Sequence, residues 1–195
     1  MLINNQASNS KFITYLITIS NSKVFLIFAF AILTSIAAQI AVPTKPIPFT
    51  LQTMIVLLAG AFLGAKNGAI SQFLYLGMGI IGLPVFAQVP DAPIGFARII
   101  GPTGGYLLAF PAAAFLVGYL VENKKSYYNV VIAMFLAEIL IISFGVLHLA
   151  AFYTKNLLEA IKVGAAVFSI WMVVKVFIAA SIYQGFSFIK KNKSK

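Results

Sequence analysis

Residues 130–153 read VVIAMFLAEILIISFGVLHLAAFY, and this segment determines the class of fold. An α-helix needs about 20 apolar residues to cross roughly 30 Å of hydrocarbon, and the segment exceeds that length. Its strongly polar side chains are Glu138 and His148. The segment therefore predicts a transmembrane helix. Its two polar side chains are candidates for a functional role, because polar groups are costly inside a membrane.

The composition of the whole chain indicates the same class. The 195 residues are 61% hydrophobic and 9% charged, where a soluble domain is roughly 45–50% apolar and about 25% charged. The mean hydropathy is +0.99 for a chain of 21.0 kDa. A globule of this size exposes too much of its surface to hide so many apolar residues from water. We therefore expect a membrane protein, and the composition argues against a soluble enzyme, a nucleic-acid-binding protein and a disordered chain.

Six apolar segments predict an all-α membrane protein built as a compact bundle of six transmembrane helices. The second segment, with about 14 residues, is short for a complete crossing. The domain prediction is a cytoplasmic N-terminal segment at 1–23, a membrane domain at 24–189 and a basic tail at 190–195. The six segments lie at 24–42, 51–64, 69–86, 102–121, 130–153 and 163–189.

The distribution of cations predicts the orientation in the membrane. With six crossings, nine lysines lie on the side of the two termini, and four cations lie on the other side. The positive-inside rule then places both termini in the cytoplasm of a multi-pass protein of the cell (inner) membrane. Two proline-rich connections, at 42–50 and 83–101, fall on the predicted outer face. We therefore expect the ordered connections between helices to lie on the outer face.

The ionisable residues are too few for most kinds of catalytic chemistry. The chain has no cysteine, one histidine and four acids, so a thiolate nucleophile is excluded and a structural zinc or di-iron centre lacks ligands. We therefore expect neither an enzyme nor a bound cofactor. The net charge of +10 is spread over the ends of apolar segments instead of forming a basic stripe, so we expect no nucleic-acid partner.

Two ionisable side chains lie at membrane depth, where a charge is costly and usually functional. Lys175 lies in WMVVKVFIAAS and has two interpretations. It either pairs with Glu138 or with a carbonyl group and so holds two helices together, or it provides a cation for an anionic substrate. Glu138 is interpreted as a structural partner, a hydrogen-bond acceptor for substrate or a proton carrier.

A second group of polar residues lies beside the proline-rich connections. Arg98 precedes GPTGGY at 101–106, where the glycines allow close approach of backbone to a ligand and a new helix start offers free N–H groups. The same glycines also suit tight helix packing. Gln52 and Thr53 open the second segment, and Thr50 is placed to cap it.

Small residues at four-residue spacing mark the first segment. The pairs are Ala31 with Ser35 and Ala37 with Ala41. Such spacing lets two helices approach closely. It predicts either packing within the bundle or a docking face for a membrane partner.

The chain resembles the BioY family, the biotin-specific S components of energy-coupling-factor (ECF) transporters. The resemblance rests on VPTKPIPFTLQTMIVLLAGAFLG at 42–64, YLGMGIIGLPVFA at 75–87 and GPTGGYLLAF at 101–110. It implies a six-helix bundle that captures biotin from outside. It also implies a membrane T protein and two cytoplasmic ATPases as partners, although some members are proposed to work alone or as oligomers. The chain contains no G-x-x-x-x-G-K-[ST] motif, so ATP hydrolysis would belong to the partners.

The resemblance also implies a site for biotin. Lys175 matches a family lysine in the last helix, and Arg98 matches a family arginine; either cation would hold the carboxylate. The family commonly has an aspartate where this chain has Met172 and a glycine where it has Trp171. Either Glu138 or Gln52 replaces the missing acid, or the chain binds biotin less tightly or prefers a relative of biotin. The predicted substrate-binding residues are Lys175, Arg98, Gln52, Thr50, Thr103, Tyr106, Phe86, Trp171 and Glu138.

Two other functions remain open at this point. An ion-coupled secondary transporter of a small anionic solute would use Glu138, Lys175 and His148 as a proton relay. A small membrane transferase would need clustered acids or a histidine–aspartate pair, and the sequence shows neither.

Overall fold

The structure, a computed structural model, describes residues 22–42, 44, 47–88, 93–164 and 169–193. The predicted N-terminal segment up to residue 21 and the last two residues of the basic tail lie outside that range. The elements, in chain order, are α1 (Lys23–Gln39), β1 (Ala41–Val42), β2 (Phe49–Thr50), α2 (Gln52–Ile80), α3 (Phe96–Ile100), α4 (Gly104–Asn123), α5 (Tyr127–Leu149), a π-helical turn (Ala150–Thr154), α6 (Leu157–Gly164) and α7 (Ser169–Lys193).

Helix α2 is a helical hairpin with two arms that run back along each other. Gly64 has φ 78° and ψ 176°, a backbone conformation that glycine adopts easily. The Gln52 side-chain amide donates a hydrogen bond to the Tyr75 hydroxyl, although a straight helix would place these residues about 35 Å apart. The Glu122 carboxylate accepts from the backbone N–H of Ala65 at 3.2 Å and so satisfies the start of the second arm. The hairpin explains why two predicted segments fall within one element.

The prediction of an all-α helical membrane bundle is confirmed. Among the described residues, four helical stretches are long and apolar enough to cross a membrane, and one shorter apolar helix is Lys23–Gln39. The four are Gln52–Ile80, Gly104–Asn123, Tyr127–Thr154 and Ile170–Ile189. Since the first of them is a hairpin with short arms, the number of six crossings stays a prediction.

Several predicted boundaries differ from the structure. The first segment was expected to reach residue 42, but α1 ends at Gln39 and Ala41–Val42 form β1. The third segment was expected to continue to residue 86, but α2 ends at Ile80 because Gly82 adopts a positive φ of 96° and Pro84 follows. The sixth segment was expected to begin at residue 163, whereas α6 ends at Gly164 and α7 begins at Ser169. The residues between those helices lie outside the described ranges.

Small residues bring the helices of the bundle close together. Ala31 and Ala37 on α1 are buried inside the chain, so packing within the bundle accounts for both. The neighbouring face of α1 exposes Phe28, Ile32 and Ile36, which suits contact with lipid. Small residues at helix contacts are the usual means of close approach in membrane proteins.

Gly118 on α4 provides a test of the hairpin contact. A Cβ atom at Gly118 would overlap the backbone of Gly64 and Ala65, and backbone cannot rotate away as a side chain can. We expect Gly118→Ala to lower the free energy of unfolding by about 1–3 kcal/mol, measured by thermal unfolding in detergent. The matched control is Gly185→Ala on α7, where a Cβ has nothing within 4 Å. Equal stability of the two variants would contradict the close contact.

Candidate functional site

The two proline-rich connections meet at one end of the bundle. The first forms a short antiparallel pair in which Ala41 lies opposite Thr50. The side-chain amide of Gln39, at the end of α1, donates to the carbonyl oxygens of Pro84 and Phe86, both at 3.3 Å. The sequence predicted that these connections share a face, and the structure brings them together beside the start of α4.

These connections and the helix ends beneath them enclose a small cavity of about 40 Å³. Its apolar wall includes Ile47, Phe86, Leu107, Phe110 and Ile141. Its polar side chains are Thr50, Gln52, Thr53, Arg98, Thr103 and Tyr106. Six of the nine predicted site residues therefore line one cavity.

Arg98 is the charged side chain of this cavity wall. It lies in the short helix α3, is only 5% exposed, and donates from Nη2 to the Ala87 carbonyl oxygen at 2.8 Å. Its Nε has no hydrogen-bond partner among the described residues. Burial lowers the pKa of the Arg98 guanidinium from its ordinary value, but the group remains a cation at neutral pH. The cavity thus has a buried positive charge and a donor that can accept a new partner.

Gln52 is the first residue of α2, and Thr50, the last residue of β2, lies two positions before it. The Thr50 hydroxyl accepts from the Gln52 backbone N–H at 3.2 Å and donates to the Gln52 side-chain oxygen at 3.0 Å. The Tyr75 hydroxyl, which accepts from the Gln52 amide, donates to the Val85 carbonyl at 3.3 Å. The predicted cap is not at Thr50: the N-cap residue of α2 is Leu51, which makes no side-chain capping hydrogen bond, and Thr50 bonds the first helical N–H from one position earlier. Much of the hydrogen-bonding capacity of Gln52 is already used within the protein.

The GPTGGY segment supplies two further polar side chains. The hydroxyl oxygen of Thr103 is buried and has no hydrogen-bond partner among the described residues. Tyr106 donates to the Gly164 carbonyl at 3.2 Å, which ties α4 to α6. The glycines serve tight packing, since a Cβ at Gly105 would overlap His148. Of the two, Thr103 is the residue with unused capacity toward the cavity.

Lys175 and Glu138 lie behind the cavity wall. Lys175 is 6% exposed and Glu138 is fully buried, and Lys175 Nζ lies 3.8 Å from Glu138 Oε1. Of the alternatives left open for Lys175, the structure shows the pair with Glu138. Lys175 also donates to the hydroxyl of Thr53 at 2.6 Å, and Thr53 lines the cavity whereas the charged pair does not.

The predicted substrate-binding residues include Trp171 but not Thr53, although Thr53 was noted beside Gln52 at the start of the second segment. Thr53 is an ordinary threonine at a helix start, and only its contact with Lys175 distinguishes it. Trp171 is 59% exposed on α7 and is not among the residues that line the cavity. Its exposed ring suits a contact with lipid.

His148 has a packing role. Its Nε2 lies 3.1 Å from the Gly101 carbonyl oxygen. It is ten residues from Glu138 on the same helix, a separation of about 15 Å along the axis. Among the described residues, no three His, Asp or Glu side chains come together in a group that could hold a metal ion.

Comparison with known proteins gives consistent matches. The family model described as "BioY family" matches residues 8–191. A protein of Thermotoga maritima named biotin transporter BioY is 37% identical over 153 residues, which cover 78% of this chain and 88% of that protein. A protein of Pyrococcus horikoshii named a probable biotin transporter BioY is 47% identical over 105 residues, which cover 54% of this chain and 62% of that protein.

Two further matches differ in how much of the known protein they cover. A Lysinibacillus sphaericus protein named a probable biotin transporter BioY is 42% identical over 107 residues, which cover 55% of this chain. The aligned part spans only about half of that relative, 53% of its length. The crystal structure of the S component for biotin from an ECF-type ABC transporter has a TM-score of 0.75 and 25% identity. That match covers 85% of this chain and 90% of the crystallised one.

Proposed function

The chain belongs to the BioY family, and we propose that it is a substrate-binding S component that captures biotin for uptake across the membrane. The relatives and the solved structure are named as biotin transporters and a biotin S component, which are transport proteins and not enzymes. The chain, with its several apolar helices, is a multi-pass membrane protein.

The observation that carries the proposal is the state of Arg98. Its guanidinium is buried in the cavity wall, its recorded partner is a backbone carbonyl, and its Nε is unpartnered among the described residues. A buried cation without an acid partner is costly, and a planar guanidinium binds a carboxylate strongly. Biotin offers a carboxylate for Arg98 and an apolar chain for the wall formed by Phe86, Leu107 and Phe110.

The cavity must widen to receive such a ligand. Sites for small molecules occupy about 300–1,000 Å³, whereas this cavity has about 40 Å³. Its walls include residues of the first connection, Ile47 and Pro48, which belong to no helix. We expect these residues to move farther on binding than the helix residues beneath them.

The orientation and the partners belong to the same proposal. The bias of nine cations to four supports a cytoplasmic position for both termini and an outer position for the cavity. An S component that captures substrate there needs an energy source. We propose an ECF module with a T protein and two ATPases, because the chain has no ATP-binding motif of its own.

The alternative of an ion-coupled secondary transporter receives less support. Its proton relay required Glu138, Lys175 and His148 to be connected. The first two are paired, but His148 contacts the Gly101 carbonyl and lies about 15 Å from Glu138 along α5. This carrier would lose uptake when the proton gradient is collapsed, whereas the proposed component depends on ATP.

The first test is equilibrium binding of labelled biotin to the detergent-purified chain. We expect saturable binding that unlabelled biotin displaces and that thiamine and riboflavin leave unchanged. A sample that is folded by its melting curve and binds none of the three would contradict the proposal. Displacement by thiamine or riboflavin would assign the site to another vitamin.

A further inference from the structure

We infer that Thr53 recognises a neutral carbonyl oxygen of the ligand and that Lys175 and Glu138 orient its hydroxyl from behind the cavity wall. The inference rests on the proposed function and deepens it, because for biotin this oxygen is that of the ureido ring. Thr53 is then a specificity-determining residue, and the charged pair is a positioning pair that does not touch the ligand.

The three side chains form a chain from the protein interior to the cavity. Glu138 on α5 is fully buried, Lys175 on α7 lies 3.8 Å from it, and Thr53 at the start of α2 lies 2.6 Å from Lys175. Thr53 lines the cavity, and so does Ile141, three residues after Glu138 on α5. The pair therefore lies directly behind the wall that Thr53 and Ile141 form.

The contact with Lys175 fixes the direction in which the Thr53 hydroxyl donates. An ammonium group has donors and no acceptor, so Thr53 Oγ1 must accept in this hydrogen bond. The hydroxyl proton then remains for a different acceptor, and the described residues supply none. A hydroxyl that accepts from a cation is also a stronger donor, because neighbouring hydrogen bonds polarise one another. Thr53 therefore presents a donor to the cavity.

Arg98 and Thr53 offer the ligand different electrostatic environments. The Lys175 charge faces the Glu138 carboxylate, so this pair adds little net charge near Thr53. Arg98 forms no ion pair within the described part of the chain. A carboxylate is hence drawn to Arg98, and a neutral acceptor suits Thr53.

The test compares biotin with two analogues on wild-type protein, Thr53→Val and Thr53→Ser. Iminobiotin carries an imine nitrogen in place of the ureido oxygen and is protonated at neutral pH, so it has no acceptor there. Desthiobiotin keeps the ureido oxygen and lacks the sulfur. We expect Thr53→Val to weaken binding of biotin and desthiobiotin about tenfold and to leave iminobiotin unchanged.

The serine variant is the matched control. Thr53→Ser keeps the hydroxyl and should retain the preference for biotin and desthiobiotin over iminobiotin that Thr53→Val loses. If Thr53→Val weakens all three equally, or if it preserves the preference for biotin over iminobiotin, the inference is overturned. If the wild-type protein binds no biotin at all, the proposed function itself fails, so the two failures are distinguishable.

Discussion

Replacing Arg98 by glutamine should weaken biotin binding by about a hundredfold, the largest effect that we expect at the ligand site. The guanidinium is buried and its recorded partner is the Ala87 carbonyl, so a bound carboxylate would be its main counter-charge. Glutamine keeps a side-chain donor but removes the charge. The measurement is equilibrium binding of labelled biotin to the purified variant.

Two controls isolate the carboxylate contact. Biotin methyl ester has no anionic group, so wild-type protein and Arg98→Gln should bind it with similar affinity. Lys162→Gln removes an exposed cation on α6 and should leave biotin affinity unchanged. A folded Arg98→Gln protein with wild-type affinity would remove Arg98 from the site. An equal loss for biotin and its ester would show that the substitution damages the cavity instead.

The sequence predicted the membrane bundle because hydropathy and the lengths of apolar segments are read directly from the order of residues along the chain. It also placed Arg98, Thr50 and Gln52 beside the proline-rich connections, and the structure brings them to one cavity. The turn at Gly64 agrees with the predicted break between the second segment, which ends at residue 64, and the third, which begins at residue 69. The contact of the Glu122 carboxylate with the start of the second arm comes from another helix and leaves no local pattern in the sequence.

The positions of Thr53 and Trp171 relative to the cavity depend on contacts across the bundle. Thr53 and Lys175 are 122 positions apart, and no spacing rule connects them. Trp171 lies four residues before Lys175, yet its ring is exposed to the outside of the bundle. Hydropathy places a residue in the membrane but does not determine which neighbour each helix face meets.

Removing the Glu138 carboxylate should destabilise the protein strongly. Glu138→Gln takes away the acid 3.8 Å from a buried lysine, and breaking a buried ion pair on one side lowers the free energy of unfolding by about 3–5 kcal/mol. The measurement is unfolding in mixed detergent micelles. The matched control is Glu159→Gln, since Glu159 is an exposed acid on α6 and its loss should have little effect.

Introducing an acid on α7 should restore the stability that Glu138→Gln loses. Met172 lies three residues before Lys175, a spacing at which two side chains on one helix meet. It is also the position where the family resemblance implies an aspartate. We therefore expect the double variant Glu138→Gln/Met172→Asp to recover most of the lost stability, because the lysine regains a counter-charge from its own helix. If Glu138→Gln alone is as stable as wild type, the Glu138 carboxylate gives Lys175 no ionic stabilisation and the expectation is contradicted. If the double variant stays unstable, an acid on α7 cannot replace the carboxylate on α5. Lys175 then requires its counter-charge at position 138.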